Sequence, residues 1–300
     1  MNKFKEVLSC LPENIIFEIM QNINEPIAEI TEEIRIRNNK PIVLKISQEK
    51  LILKHIINSE EIEKIFMKIC ENSIYSYQKQ ISEGFITIKG GHRIGLTGSA
   101  VVENNKIIHL NYISSLNFRI AREKKGCSIN VLNEIINTDK NQIYNTLIIS
   151  PPGCGKTTIL RDIIRNLSNG IPSKISSKTI GLVDERCEIA AMYKGVPQND
   201  VGQMTDVITN CSKSVGMKML IRSMAPQIIA CDEIGGKDDV QAINSAICSG
   251  IKGIFTLHGN NIDEIKKNPE LSELFSKNLI EKIIVLSATC KGMIEKIYTI

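Results

Sequence analysis

The residues Ser150, Pro151, Pro152, Gly153, Cys154, Gly155, Lys156, Thr157 and Thr158 follow an apolar run at 147–149 and precede a helix-like segment at 159–167. Gly153 and Gly155 let consecutive backbone N–H groups converge on one anion without a Cβ in the way. Lys156 supplies a cation to the β- and γ-phosphates, and Thr157 offers its hydroxyl to Mg²⁺. The start of the following helix adds partial positive charge beneath them. A strand, this turn and a helix make a phosphate-binding loop. Its expected nucleotide contacts are Pro151, Pro152, Gly153, Cys154, Gly155, Lys156, Thr157 and Thr158. Ser150 stands where the usual G-x-x-x-x-G-K-[ST] pattern has glycine. Pro151 and Pro152 have no N–H, so the amide nest begins at Gly153.

Such a loop needs an acidic partner on a neighbouring strand. The apolar run at 228–231 ends in Asp232 and Glu233. Asp232 is expected near Mg²⁺, and Glu233 is suited to orient or deprotonate the attacking water. Adjacent acids there favour hydrolysis over nucleotide storage. Two more polar groups follow predicted strands: Asp184, Glu185, Arg186, Cys187 and Glu188 after 180–183, and Thr256, His258, Gly259 and Asn260 around the run at 254–257. Singly, each has a bland explanation, a structural histidine or a surface ion-pair cluster. Together they are four strand ends that can meet at one phosphate site, because open α/β sheets bind ligands at the carboxyl ends of their strands.

The elements that must position these groups divide at a short charged stretch, 123–127, which reads as a linker between domains 1–125 and 126–300. After it, short apolar runs separated by helix-length segments predict βαβ units and a mostly parallel sheet covered on both faces. Before it, the pattern is a smaller α+β domain. Helical spacing over 6–22 is broken by Pro12, alternation over 32–54 predicts strands, and Ser59 is the expected N-cap of a helix to residue 70. Helical register continues over 74–81, and a glycine-interrupted sheet follows Gly84.

Composition excludes several classes. With 42% hydrophobic and 23% charged residues over 300 positions, the chain is neither disordered nor collagenous. No apolar run reaches the roughly 18 residues of a membrane span. Pro12, Glu13 and Glu18 interrupt any signal-like segment, so a cytoplasmic location is expected. The nine cysteines include no CxxC pair, which indicates neither a disulfide framework nor a zinc ribbon. A formal charge of +4, no Trp and 4% aromatics give little footprint for nucleic acid.

These motifs resemble the type II and type IV secretion ATPase superfamily, whose members carry a Walker A loop, an acidic box, a Walker B element and a His box in that order. Within it the chain is most similar to a sporulation branch from endospore-forming bacteria. The resemblance rests on the segments 33–37, 90–96, 117–123, 150–158, 183–189, 222–235 and 257–260, and so extends over most of the chain. It implies an N-terminal domain joined to a RecA-like ATPase domain, a hexameric ring, and bound ATP with Mg²⁺. It also implies a motor role in a secretion-like channel between mother cell and forespore, reached from the mother-cell side through membrane-protein partners. By that resemblance Lys156 and Thr157 hold phosphate and metal, Glu233 is the Walker B acid, and Asp184, Glu185 and Glu188 form the acidic box. His258 senses the γ-phosphate, Asp184 joins Thr157 and Asp232 at the metal, and Arg119, Arg122 and Arg222 are candidates for charge stabilisation. Two departures stand out: Asp232-Glu233 replaces the frequent Gly-Glu, and paired zinc cysteines are missing. The rival readings are a RecA-like ATPase acting on nucleic acid and a nucleotide-gated scaffold with little turnover.

Overall fold

The computed structural model describes residues 3–300. Contacts gather the chain into two compact units, one running to Arg122 together with Ala191–Gln198, the other comprising Glu123–Ala190 and Asn199–Ile300.

The first unit opens with α1 (Lys3–Leu8) and α2 (Glu13–Asn22), separated at Pro12 as its missing N–H requires, and α3 (Glu25–Ile30). Then come β1 (Thr31–Arg37), β2 (Pro41–Ile46), β3 (Glu49–Ile56), α4 (Ser59–Ile69), a 3₁₀ turn (Ile74–Tyr77), α5 (Gln78–Ser82), β4 (Phe85–Thr87), β5 (Arg93–Glu103) and β6 (Lys106–Arg119). The N-cap of α4 is Asn58, one residue before the expected Ser59. Asn58 accepts from Glu61 N at 2.9 Å while Glu61 accepts from Asn58 N at 3.0 Å, a reciprocal cap that serine at 59 cannot make in this register. The strands form one antiparallel sheet in the order β3-β2-β1-β6-β5-β4. Its register lines up Leu44, Ile34, Phe118, Ile94 and Ile86 as a row across five strands. All five are fully buried, and each aliphatic member is worth roughly 1.5–3 kcal/mol in apolar burial.

The second unit contains α6 (Ile129–Ile135), β7 (Ile136–Asn137), β8 (Gln142–Ile143), β9 (Thr146–Ser150), α7 (Lys156–Asn169), β10 (Ile180–Asp184) and β11 (Thr205–Thr209). It continues with α8 (Lys213–Met224), β12 (Ile228–Cys231), α9 (Lys237–Cys248), β13 (Lys252–His258), α10 (Ile262–Lys266), α11 (Ser272–Ser276), β14 (Lys282–Leu286) and β15 (Ile294–Thr299). Seven strands form a sheet in the order β11-β10-β12-β13-β9-β14-β15, parallel throughout except for the antiparallel edge strand β15. Leu147 and Ile149 face a core shared with Met217, Leu220, Val240 and Ile243 of α8 and α9. Strand alternation turns Ile148 to the other face, the side of α7, so the sheet is covered on both sides. β11 escapes the apolar pattern because it is a half-exposed edge with only Val207 and Ile208 in its interior. Among the described residues no helix is long and apolar enough to cross a membrane.

Candidate active site

Sheet register brings the motifs together. Val183 pairs with Cys231, Cys231 with Phe255, and His258 with Ser150, so β10, β12, β13 and β9 end side by side. Asp184, Asp232, His258 and the phosphate loop therefore leave from one edge of the sheet.

Gly153 and Gly155 have φ of +78° and +92°, left-handed values that strain any other residue. A Cβ on Gly153 would meet nothing within 4 Å, so the backbone angle and not crowding demands glycine there. Gly155 is the N-cap of α7, which places Lys156 first in the helix. Lys156 is only 5% exposed and its Nζ donates to Ser150 O at 2.9 Å, Pro151 O at 3.3 Å and His258 Nδ1 at 2.8 Å. Burial pushes this ammonium below the usual lysine range, against the opposing pull of Asp232 and Glu233.

An ammonium only donates, so His258 Nδ1 accepts and the ring proton sits on Nε2. Nε2 then donates to Glu233 Oε1 at 2.6 Å, while Arg186 Nη1 donates to Glu233 Oε2 at 3.0 Å. Lys156, His258, Glu233 and Arg186 thus form one hydrogen-bonded line along the strand ends. Beside it, Thr157 Oγ1 donates to Asp232 Oδ2 at 2.5 Å. The fully buried Thr256 donates to the other Asp232 oxygen and accepts from Glu233 N at 2.9 Å, so one hydroxyl orients both acids. Thr256 is in the motif at the end of β13 but had no role from sequence. The signal was its spacing of two from His258, which puts both on one face of the strand.

A hydroxyl and one carboxylate at a helix N-terminus suit Mg²⁺, which keeps several waters and takes few protein ligands. Thr157 and Asp232 fit that set. The described residues contain no cluster of three or more His, Cys, Asp or Glu placed to hold a metal.

Asp184 is used differently. It is 3% exposed and accepts from Glu188 N at 2.9 Å, from Ile189 N at 3.1 Å on each oxygen, and from Ala190 N at 2.8 Å. Burial raises its carboxyl above the ordinary range, and the three amides together with Arg161 pull it back. Arg161 of α7 closes the same loop from outside, donating to Ile189 O and Glu188 O at 2.6 Å each. Glu185 pairs with Lys213 at the start of α8. Asp184, Glu185, Arg186, Glu188, Asp232 and Glu233 line one cleft. Arg161 and Lys213 had no assigned role in the sequence, because their partners are backbone carbonyls and an acid on separate elements.

The candidate arginines are divided between the two units. Arg222 is exposed in the last turn of α8, which runs back from Lys213 to the edge of the sheet where β12 begins. Arg119 is exposed at the end of β6 in the first unit, and Arg122 of that unit donates to Ala28 O at 3.0 Å.

Comparison with known proteins follows the same lines. Residues 1–300 match the family model described as Sporulation stage III, protein AA. The chain is 38% identical over 299 residues to Stage III sporulation protein AA of Bacillus subtilis (strain 168), covering 99% of this chain and 95% of that protein. Among solved structures it is similar to the Legionella pneumophila ATPase DotB, with a TM-score of 0.59 at 16% identity over 92% of this chain and 77% of the other. It is also similar to the pilus retraction motor PilT with bound ADP, with a TM-score of 0.56 at 15% identity over 90% and 77%. At such identities the likeness carries the fold, an α/β RecA-like domain preceded by a smaller α+β region.

Proposed function

We propose, from the premise that this chain belongs to the sporulation stage III protein AA family, that it is an ATP-hydrolysing motor component of a secretion-like channel between mother cell and forespore. The observation that carries the reading is the single line Lys156, His258, Glu233, Arg186 beside the pair Thr157 and Asp232, all at the carboxyl ends of neighbouring parallel strands. Each group has a task in hydrolysis of ATP to ADP and phosphate.

Lys156 now holds the carbonyls of Ser150 and Pro151. Phosphate oxygens arriving at the Gly153–Lys156 amides are stronger acceptors, and the ammonium turns to them. That frees His258 Nδ1, which couples occupancy of the γ-phosphate position to the ring that touches Glu233. Both Glu233 oxygens are engaged, one by His258 and one by the 67% exposed side chain of Arg186. Glu233 must release one of them to orient water and accept its proton. Arg186 is the partner that solvent can take over. Thr157 and Asp232 would hold Mg²⁺, which neutralises charge on the β- and γ-phosphates when bound.

In this reading the chain works as a homo-oligomeric, hexameric ring. It sits on the cytoplasmic, mother-cell side and is recruited to the membrane through channel proteins. Arg119, Arg122 and Arg222 are the arginines available to act on a neighbouring subunit's nucleotide. The test is steady-state ATP hydrolysis by the full-length protein across a concentration series, beside Glu233→Gln and Lys156→Ala. We expect turnover rising more than linearly with protein, and a loss of about 10² to 10⁴ in rate for Glu233→Gln. Normal hydrolysis by Lys156→Ala would overturn the site.

A further inference from the structure

The turn between β14 and β15, residues 287–293, is fastened to the phosphate loop. Gly292 N donates to Cys154 O at 3.1 Å. A Cβ on Gly155 would lie 4.0 Å from Gly292 N, and one on Gly292 would lie 3.7 Å from Ile159 Cδ1 in the first turn of α7. The turn is also ordered from within. Ser287 N donates to Met293 O at 2.8 Å, Met293 N donates to Cys290 O at 3.1 Å, and Ser287 Oγ accepts from Thr289 N and Cys290 N at 3.3 Å each. Gly292 takes φ +79°, which only glycine adopts without strain. Lys291, its neighbour, is therefore held beside the phosphate loop. It is exposed and has no ion-pair partner among the described residues.

Strand order decides which end of a bound nucleotide Lys291 meets. β9 lies between β13 and β14. Asp232, Glu233 and His258 all come from the β12 and β13 side, so the γ-phosphate must point that way. A polyphosphate seated on the amides of Gly153–Lys156 then leaves the loop on the β14 side, with its α-phosphate and nucleoside toward residues 287–293. We propose that Lys291 contacts the α-phosphate of the bound nucleoside triphosphate, the 287–293 turn forming the second wall of the site. The inference rests on the nucleotide reading above.

The α-phosphate is common to ATP and ADP, and this gives the assignment a signature that a γ-phosphate contact lacks. Dissociation constants of the full-length protein for ATP and ADP, measured by titration calorimetry, test it with Lys291→Ala, Lys291→Arg and Lys156→Ala. A partly exposed charge-assisted contact predicts that Lys291→Ala weakens both nucleotides alike, by about fivefold to tenfold. Lys291→Arg restores most of the affinity, and the gap narrows as ionic strength rises. Wild-type affinity of Lys291→Ala for both nucleotides, while Lys156→Ala has lost binding, overturns the role of Lys291 and leaves the site standing. A loss confined to ATP places Lys291 at the γ-phosphate and equally overturns the assignment. Failure of the unmodified protein to bind either nucleotide overturns the site itself, and this contact with it.

Discussion

Two loops of the second unit, joined by the line Lys156, His258, Glu233, Arg186, are built by the same device with opposite charge. In the phosphate loop a buried cation, Lys156, gathers backbone carbonyls, those of Ser150 and Pro151. In the acidic box a buried anion, Asp184, gathers backbone amides, those of Glu188, Ile189 and Ala190. Their surroundings differ in what can replace them. Lys156 holds the half-exposed carbonyl of Pro151 and the buried one of Ser150, which also accepts from Gly259 N at 3.3 Å, and it is adjacent to an amide nest that attracts an anion. Asp184 satisfies the N–H groups of Ile189 and Ala190, which burial keeps from water, with Arg161 closing the loop from outside. One charge is therefore positioned to be released to a ligand, and the other is a fixed part of the scaffold. A residue of the acidic motif thus shapes the site by holding its own loop.

Removing each charge should separate the two roles. Asp184→Ala leaves the buried amides of Ile189 and Ala190 without an acceptor, and we expect a loss of about 3 kcal/mol in denaturant unfolding. Lys156→Ala should stay within about 1 kcal/mol of the unmodified protein in the same measurement while losing nucleotide. Equal destabilisation by the two would erase the distinction. Alkaline titration sharpens it further. The Lys156 ammonium lies below the usual lysine range because burial disfavours its charge, so it neutralises at lower pH than a free lysine. Affinity for ATP should begin to fall at a pH below about 10.4, the ordinary value, and Lys156→Arg should not share that fall, since a guanidinium stays charged. For folding the sign is opposite: the charged form carries the desolvation cost, so this residue's contribution improves as pH rises through its depressed value.

The smallest effect concerns the chain just beyond the acidic box. Residues Ala191–Gln198 belong to the first unit, where Tyr193 and Lys194 both donate to Glu71 and Gln198 accepts from Gly90 N at 2.7 Å. Lys194 and Tyr193 hold the Glu71 carboxyl below its usual range. The pairs are solvent-exposed, so Glu71→Ala should speed amide exchange in 191–198 by about threefold at most and leave the phosphate loop unchanged. An equal change in both segments would mean that residues 191–198 and the phosphate loop do not respond separately.

The legible part of this molecule is the part governed by near neighbours. Gly153 and Gly155 announce left-handed backbone, Lys156 and Thr157 announce the helix that follows, and the apolar runs at 147–149, 180–183, 228–231 and 254–257 announce buried parallel strands. The structure keeps the run at 228–231 as β12 and extends the other three by a residue or two at one or both ends without moving them. The expected cap Ser59 gives way to Asn58 because of the reciprocal bonds with Glu61, which are invisible until the turn is built. β11 was illegible because an edge strand needs no continuous apolar signal.

By itself, then, the sequence determined the α/β class, the phosphate loop and the order of the four polar strand ends, since these follow from backbone angles and from periodicities of a few residues. Tertiary structure alone decided the lateral order of the strands. That order makes Thr256 the link between Asp232 and Glu233, places the 287–293 turn against Cys154, and gives residues 191–198 to the first unit. Such pairings join positions tens to more than a hundred residues apart, and which strand lies beside which depends on the packing of whole faces, a quantity no local pattern contains.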